Sequence, residues 1–405
     1  MLKILHTSDW HLGKKLFKAD RIEEQKLFLD WLFSFIQTES VDVLLIAGDI
    51  FDSPHPPNEA LKLYFDFLHE LAKTKVQTFV IAGNHDSGTF LEAPSKILQT
   101  QNIHVTGSLS LDSKKHIFKL SLKNSDQYVG LVTLPYFRNW EIHQLGKEYG
   151  IAEGENFAID TLAQFLKNSS SELSGASKKI LMGHHLFGLY SAAGSEQAIG
   201  LSGVDSIPNS MVEGLFDYVA LGHIHKPQII KKENPIIYYS GSPIAMRFSE
   251  TMKKSLSLVT IDQDKLTQTL VFIPSFRQLI QIECSEDDLD AELEHLKKIP
   301  KLALRHFVEC IIHLKAPSQG LIEKIKLTVE EDHELLSTSF IFDTDDELEK
   351  ELYRDIKRGL SLPEIFDVFY KSKFSDSIGP SVELKADFME IMKRSQDHDD
   401  GASSP

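Results

Sequence analysis

The sequence predicts an α/β fold whose strands carry polar clusters at one common edge. Five short apolar segments, at 2–6, 43–47, 78–82, 180–182 and 218–221, each lead into such a cluster. Ligands of α/β sheets bind beyond the carboxyl ends of the strands, because loops there bring distant side chains to one point. We therefore expect the five clusters to converge on one functional site.

The other elements of the first part are predicted from apolar patterns. One stripe at helical spacing follows Asp20 and consists of Phe28, Leu32, Phe35 and Ile36. A second consists of Leu61, Tyr64, Phe65, Leu68 and Leu71. Strand-like segments return between 129 and 272, including 236–239 and 256–261. We expect these residues to form the core of the first part of the chain.

After Gln278 the pattern changes. Ser285 is a candidate N-cap for a helix with an acidic first turn, because its hydroxyl could accept a free backbone N–H. The apolar face of that helix would consist of Leu289, Leu293 and Leu296. An alternating, strand-like pattern follows at Val308, Cys310, Ile312 and Leu314. The economical interpretation is a strand, helix, strand, helix, strand module that ends near residue 343.

The C-terminal segment carries two further apolar stripes, separated by Gly379 and Pro380. The first consists of Leu362, Ile365, Phe366, Phe369 and Tyr370, and the second of Leu384, Phe388, Ile391 and Met392. A short helix is marginal alone and must bury its apolar face. The stripes leave open whether that face packs into a groove on a partner or back onto this chain.

Composition limits the function classes. With 405 residues, 42% of them apolar and 25% charged, the chain can form more than one globular domain. No apolar run approaches the roughly 20 residues of a membrane span, and the chain enters a strand without a signal peptide, so we expect a cytoplasmic protein. Cys284 and Cys310 are expected to be free thiols. The formal charge of −16 argues against a general basic surface for nucleic acid.

The residue types in the clusters indicate metal chemistry. Carboxylate, amide and imidazole groups suit Mn, Fe or Zn, whereas thiolates select softer metals. Asp9 and His11 are two residues apart, as are His223 and His225. On an extended backbone each pair would point the same way, so it could bind one ion or straddle two. Each motif alone is common by chance, and the order of all five is far more specific.

Four strings carry a family resemblance: residues 5–13, 82–87, 220–225 and 240–243. They resemble the calcineurin-like metallophosphoesterases and, within them, the nuclease subunits (SbcD) of bacterial SbcCD complexes. The resemblance implies a four-layer sandwich at 1–275, two β-sheets flanked by helices. It also implies a small α+β capping domain at 276–343 that orients DNA and a helical partner-binding tail at 344–394. Residues 395–405 are polar and expected to be disordered.

The resemblance also implies the site. Asp9, His11 and His225 would hold one divalent metal ion, Asn84, His184 and His223 the other, and Asp49 would bridge them. The metal would be Mn²⁺. His85 would contact the scissile phosphate and assist the leaving group, and Asp52 and Asp86 would orient ligands. The tandem His184-His185 leaves open which of the two is the ligand. Lys14, Lys15 and Arg138 could contact DNA phosphates, although solvated surface cations are the commoner explanation.

The function implied by the resemblance is that of a two-metal DNA nuclease in repair, recombination and replication. It would act as a 3′ to 5′ exonuclease on duplex DNA, with ATP supplied through a partner, and as an endonuclease on single strands and hairpins. The partner would be an SbcC-type ATPase bound through the tail residues Leu362, Ile365, Phe366, Phe369, Leu384, Phe388 and Ile391. A homodimer associated with the nucleoid is expected. The alternatives are a phosphomonoesterase, a cyclic-nucleotide phosphodiesterase or a non-catalytic scaffold.

Overall fold

The computed structural model describes residues 1–122, 125–188, 190–192, 206–315, 318 and 320–342, and tail positions 366–367, 370, 380–381, 384–385 and 387–388. The strands are β1 Leu2–Thr7, β2 Val43–Ala47, β3 Gln77–Ile81, β4 Ile103–Thr106, β5 Ile117–Ser121, β6 Tyr128–Leu134, β7 Lys178–Gly183, β8 Tyr218–Leu221, β9 Gln228–Lys231, β10 Ile236–Tyr239, β11 Ser255–Asp262, β12 Lys265–Phe272, β13 Leu279–Ser285, β14 Phe307–Leu314 and β15 Glu334–Phe342. The helices are α1 Ile22–Glu39, α2 Asn58–Ala72, α3 Gly88–Glu92, α4 Ser95–Gln99, α5 Asn139–Glu148, α6 Phe157–Glu172, α7 Leu289–Leu296 and α8 Leu321–Val329.

Two six-stranded sheets form the first part of the chain. Their strand orders are β12-β11-β1-β2-β3-β4 and β5-β6-β7-β8-β10-β9. Strands β1 to β4 run parallel, as do β6, β7, β8 and β10. The strands that lead into the predicted clusters are therefore neighbours with a common direction. Their carboxyl ends lie at the same edge of each sheet.

The core is divided into three apolar layers, which confirms the predicted four-layer sandwich. The central layer joins the two sheets and includes Ile4, Leu45, Met182 and Ala220. One outer layer packs α1 and α2 against the first sheet, and the other packs α5 and α6 against the second. Because β2 is covered on both faces, all five of its side chains are buried. This explains why its sequence is continuously apolar instead of alternating.

The predicted helical stripes are largely correct. Phe28, Leu32 and Ile36 are buried in α1 and pack in the outer layer. In α2, however, Phe65 is 38% exposed and Phe67 is buried. The prediction for Phe65 is wrong because Phe67 lies one helical turn from Tyr64 and Leu71, on the buried face, whereas Phe65 lies to the side of it.

The module after residue 278 has the predicted order of elements, β13-α7-β14-α8-β15, and its strands form one sheet in the order β13-β14-β15. Leu289, Leu293 and Leu296 are buried as predicted. Ser285 is not the N-cap of α7, because the helix begins at Leu289. Ser285 instead ends β13, and its hydroxyl accepts a hydrogen bond from Asp288 N at 3.3 Å, within the turn before the helix.

The described chain divides into two compact units. The first contains 1–282, 294–310 and 326–337, and the second contains 283–293, 311–325 and the described residues from 338 onward.

Phe366, Leu384 and Phe388 are helical, and the rings of Phe366 and Phe388 stack at 4.2 Å between centroids. The two predicted stripes therefore contact each other at this point. Four of the predicted partner-binding residues lie outside the described residues: Leu362, Ile365, Phe369 and Ile391. Among the described helices, none combines the length and apolar character that a bilayer crossing requires.

Candidate metal centre

The loops after β1, β2, β3, β7 and β8 bring the predicted ligands together. Ligand atoms of Asp9, His11, Asp49 and His225 lie within 4.8 Å of one another. Those of Asp49, His184 and His223 form a second such group. A third group consists of His11, Asp52 and His85. Asp49 belongs to the first two groups, which match the division that the resemblance implied. The ligand roles of these residues remain a prediction.

The backbone reaches this arrangement in an unexpected way. Asp9, His11, Asp49 and His223 have positive φ angles of 54°, 45°, 51° and 98°. The extended backbone assumed for Asp9 and His11 and for His223 is therefore wrong. Contacts between loops hold the turns, since Asp9 N donates to Gly48 O and His11 N donates to Asp49 O, both at 3.0 Å. Left-handed backbone at residues other than glycine is costly and concentrates at functional sites.

In the first group, His11 faces two other candidate ligands. Its Nε2 lies 3.0 Å from His225 Nε2 and 3.5 Å from Asp49 Oδ2. Its Nδ1 lies 3.2 Å from Asp52 Oδ1. A carboxylate on one ring nitrogen fixes the tautomer and directs the other nitrogen toward an ion. The Asp52 carboxylate lies where an orienting residue would lie, and its orienting role stays a prediction.

In the second group, His184 has a defined tautomer. Its Nδ1 lies 2.8 Å from Ala47 O, and a carbonyl can only accept, so Nδ1 carries the hydrogen. Nε2 therefore faces the site, 3.0 Å from Asn84 Oδ1 and 3.3 Å from Asp49 Oδ2, and in the neutral ring it presents its lone pair there. His223 Nδ1 lies 3.1 Å from the same Asn84 oxygen. Asn84 thus lies between the two imidazoles.

The structure separates the tandem histidines. His185 turns away from the centre, and its Nε2 lies 3.0 Å from Pro135 O. Its ring contacts Phe137 at 4.4 Å and stacks with Tyr136 at 5.8 Å. Burial lowers the pKa of His185 to about 3, so it is a neutral core side chain. This geometry favours His184 as the ligand.

The carboxylates carry different protonation tendencies. Burial, together with Asp49, raises the pKa of Asp9 to about 6. Burial opposes ionisation of Asp49 as well, yet the adjacent His184 and His11 hold the pKa of that carboxyl well below its usual range. Asp49 is therefore the fixed negative charge of the centre. His184 shows the complementary effect: burial lowers its pKa, but Asp49, with smaller contributions from Asp9 and the Ala47 carbonyl, raises it to about 9.

Asp86 joins two of the loops. Its carboxylate accepts hydrogen bonds from Gly83 N at 2.8 Å, Phe51 N at 3.0 Å and Ile50 N at 3.1 Å. It belongs to none of the candidate ligand groups in the described part of the chain. Burial, followed by the charge of Asp49, raises the pKa of Asp86 to about 6. An orienting role fits this geometry.

His85 stands at the border of the centre. Its backbone N–H donates to Asp49 Oδ1 at 2.9 Å, and its ring lies 4.8 Å from that of His11. Its Nδ1 lies 2.9 Å from Asp52 O and must donate to that carbonyl. Nε2 is thereby left as the nitrogen that can exchange a proton with a bound molecule. Its side chain is half-buried, whereas His11 and His184 are fully buried.

Two glycines allow the loops to approach. A Cβ on Gly83 would lie 2.2 Å from Asp49 Oδ1, and one on Gly48 would lie 2.3 Å from His184 Nδ1. Gly48 also has a φ of 88°, which other residues rarely adopt. The Gly-Asp and Gly-Asn-His motifs therefore have a steric basis.

The donor set fits a divalent metal ion. The closest candidate ligand atoms are 3.0–3.5 Å apart. Adjacent ligands of one ion, with bonds of about 2.1 Å, lie about 3 Å apart in octahedral geometry. Buried polar groups facing one another at these distances need a shared partner. Carboxylate, imidazole and amide donors without thiolate suit Mn, Fe or Zn.

The three predicted DNA-contacting cations differ in their surroundings. Lys14 is already paired, since its Nζ lies 2.8 Å from Asp52 Oδ1. Lys15 and Arg138 are exposed. No ion pair involves Arg138 among the residues that the structure describes. Lys14 therefore helps to hold Asp52, and the other two remain candidates for contact with phosphate.

The sequence reasoning missed two features. The Ser8 hydroxyl donates to the Asp9 carboxylate and lies 2.7 Å from Ser240 Oγ, so the Ser240–Pro243 motif supports the first ligand group. Tyr136, at the end of β6, also lies at this edge, since its N–H donates to Ala82 O at 2.8 Å. The strand-end signal that found the other clusters also applied to β6, but tyrosine is not a usual metal ligand.

Residues 2–227 match the family described as Calcineurin-like phosphoesterase. An SbcCD nuclease subunit of the SbcD type from Staphylococcus epidermidis is 30% identical over 299 residues, which cover 72% of this chain and 75% of that protein. The chain belongs to the calcineurin-like phosphoesterases, within the SbcD family. The SbcD proteins of Escherichia coli and Rhodobacter capsulatus are 35% and 32% identical over 274 and 259 residues. These matches cover 65% and 62% of this chain and 66% and 64% of those proteins, so the chain spans just under two thirds of their length.

Membership of the calcineurin-like phosphoesterases agrees with the geometry at the sheet edge. The matched segment contains every candidate ligand from Asp9 to His225. Family and donor set together identify a divalent-metal site.

Proposed function

We propose that this protein is a two-metal DNA phosphodiesterase, the nuclease subunit of an SbcCD-type complex. The observation that carries the proposal is the pair of ligand groups that share Asp49, with the half-buried His85 beside them. Asp9, His11 and His225 would hold one ion, Asn84, His184 and His223 the other, and Asp49 both. Mn²⁺ is the proposed metal because it suits a mixed carboxylate, amide and imidazole set.

Bound divalent ions supply Lewis-acid activation of the phosphodiester and of the attacking water. The remaining work falls to His85. Because Nδ1 is committed to Asp52 O, a protonated His85 presents Nε2–H to the substrate. As water attacks phosphorus and the P–O bond to the leaving nucleoside breaks, Nε2 gives its proton to the departing oxygen. Asp52 fixes the His85 ring through its backbone carbonyl and the His11 ring through its carboxylate, so both imidazoles are oriented by one residue.

The partners are proposed on the same basis. The relatives are named as parts of the SbcCD nuclease, which supports an SbcC-type ATPase partner for this chain. We propose that 276–343 forms the capping domain that orients DNA and that 344–394 docks the ATPase. A homodimer of this chain, DNA as substrate and a cytoplasmic, nucleoid-associated location complete the proposal. ATP dependence of duplex cleavage would come from the partner, since the chain has no Gly-x-x-x-x-Gly-Lys-Ser/Thr motif.

The test uses the purified chain with Mn²⁺ and three substrates: a DNA hairpin, a single-stranded oligonucleotide and p-nitrophenyl phosphate. We expect cleavage of both DNAs, loss of cleavage with EDTA, and little phosphomonoester hydrolysis. The net charge of −16 favours a phosphomonoesterase or a cyclic-nucleotide phosphodiesterase as the second candidate. Hydrolysis of p-nitrophenyl phosphate or cyclic AMP without cleavage of DNA would overturn the proposal in favour of that candidate. If the metal-loaded protein hydrolyses none of these substrates, the remaining alternative is a non-catalytic scaffold.

A further inference from the structure

Tyr136 occupies the same edge as the metal centre and has no role in the proposed chemistry. It follows β6, and its N–H donates to Ala82 O, two residues before Asn84. The backbone of Tyr136 is thus tied to the loop that carries Asn84 and His85. Tyr136 is half-buried.

The ring of Tyr136 has a rigid backing. It stacks on His185 at 5.8 Å with 28° between the ring planes. His185 is itself held in place, because its Nε2 donates a hydrogen bond to Pro135 O and its ring lies 4.4 Å from that of the buried Phe137. An aromatic side chain held in this way loses little conformational entropy when a second ring stacks on it.

Arg138 lies near Tyr136 in space as well as in sequence. Its side chain is exposed, whereas Phe137 between the two residues is buried. Burial raises the pKa of Tyr136, the charge of Arg138 opposes this, and the charges of Glu141 and Asp49 add to it. The phenol therefore lies within electrostatic range of both Arg138 and the metal centre.

We propose that Tyr136 stacks with an unpaired nucleobase next to the scissile phosphate, with Arg138 on a neighbouring phosphate. This inference rests on the proposed nuclease function and adds a preference for unpaired DNA. A base in duplex is covered by its neighbours, whereas an unpaired base offers its face to an aromatic ring. Stacking also needs no positive charge, which matters for a chain of net charge −16.

The test compares Tyr136→Ala with Tyr136→Phe on two single-stranded oligonucleotides. One is fully based, and the other carries abasic sites on both sides of the scissile phosphate. Phe272→Ala, at a 61% exposed position on the edge strand β12, serves as a matched aromatic control. Tyr136→Ala should raise KM for the fully based strand about 5- to 150-fold, the effect of losing one stacked base. Tyr136→Phe and Phe272→Ala should stay near the wild-type value.

The abasic strand separates stacking from structural damage. For wild type, KM should be higher for the abasic strand than for the fully based strand, by about the same factor as the Tyr136→Ala substitution raises KM for the fully based strand. For Tyr136→Ala, KM should be the same for both strands. Unchanged bound metal would show that the centre is intact. An equal loss on both strands would overturn the inference, as would a loss in Tyr136→Phe as large as in Tyr136→Ala. If wild type cleaves neither strand, the proposed nuclease function itself fails, which is a distinguishable result.

Discussion

The tandem histidines give a pair of substitutions that share burial and a backbone hydrogen bond but differ in their contact with the candidate metal centre. His184 and His185 are both buried, and each donates a hydrogen bond to a backbone carbonyl, at Ala47 and Pro135. Replacing either by alanine therefore removes the same kind of bond. Only His184 has its second nitrogen among the ligand atoms. We predict that His184→Ala loses one of two bound ions and that His185→Ala keeps both.

The magnitude follows from the two contributions to stability. An unpaired buried carbonyl costs about 1–3 kcal/mol, and this cost applies to both variants. Each occupied metal site adds about 2.7 kcal/mol when free metal is about 100 times the dissociation constant. Wild type and His185→Ala should therefore gain about 5 kcal/mol from saturating Mn²⁺, and His184→Ala about half of that.

The assay is urea unfolding of the three proteins with Mn²⁺ and with EDTA, combined with metal content by mass spectrometry. With EDTA both variants should have lower free energies of unfolding than wild type, and His184→Ala the lower of the two, because it also removes the partner of the buried Asp49 carboxylate. The reasoning is refuted if His185→Ala binds one ion while His184→Ala binds two. It is refuted equally if both variants retain the full Mn²⁺-dependent gain.

Three further predictions concern other parts of the molecule. His85→Gln should lower nuclease activity about 10²- to 10⁴-fold while calorimetry still shows two bound ions, because in the proposed mechanism the side chain donates a proton and binds no metal; near wild-type turnover would contradict this. Gly48→Ala should weaken metal binding measured by titration, since the added Cβ would lie 2.3 Å from His184 Nδ1, and unchanged affinity would show that the loop can move aside. Burial lowers the pKa of His116 from 6.5 to about 4, so between these pH values the unfolded chain binds more protons than the folded chain. The free energy of unfolding should therefore be highest above pH 6.5 and should fall as the pH is lowered toward 4. From pH 7 to pH 5 the free energy of unfolding in urea should fall by about 2 kcal/mol more for wild type than for His116→Gln. Parallel plots of this free energy against pH for the two proteins would contradict the prediction.

Residue type and strand-end placement predicted that the polar clusters converge, whereas the assignment of ligands and roles came from the family resemblance and stays a prediction. Asp49 and Asn84 could be found because the buried parallel strands before them are mostly apolar, so the polar residues that follow stand out. The two-sheet arrangement came from the family resemblance, since short apolar segments alone do not specify which strands pair. The tail could be predicted only as two amphipathic stripes.

The errors have a common physical origin in contacts between distant segments. Asp9 and His11 converge as predicted, but through left-handed backbone held by Gly48 and Asp49, which the local sequence does not encode. From the sequence, Lys14 was expected to be either a DNA contact or a solvated surface cation, yet it forms an ion pair with Asp52 from another loop. Tyr136 was missed because its position depends on a backbone bond to the neighbouring sheet edge.

The central claim is that Asp49 holds two metal ions in one catalytic centre. Anomalous diffraction at the manganese edge, from crystals grown with Mn²⁺, tests it most directly. The account predicts two peaks on either side of the Asp49 carboxylate, one beside His11 and His225 and the other beside His184 and His223. A single peak, or peaks that do not contact Asp49, would contradict it.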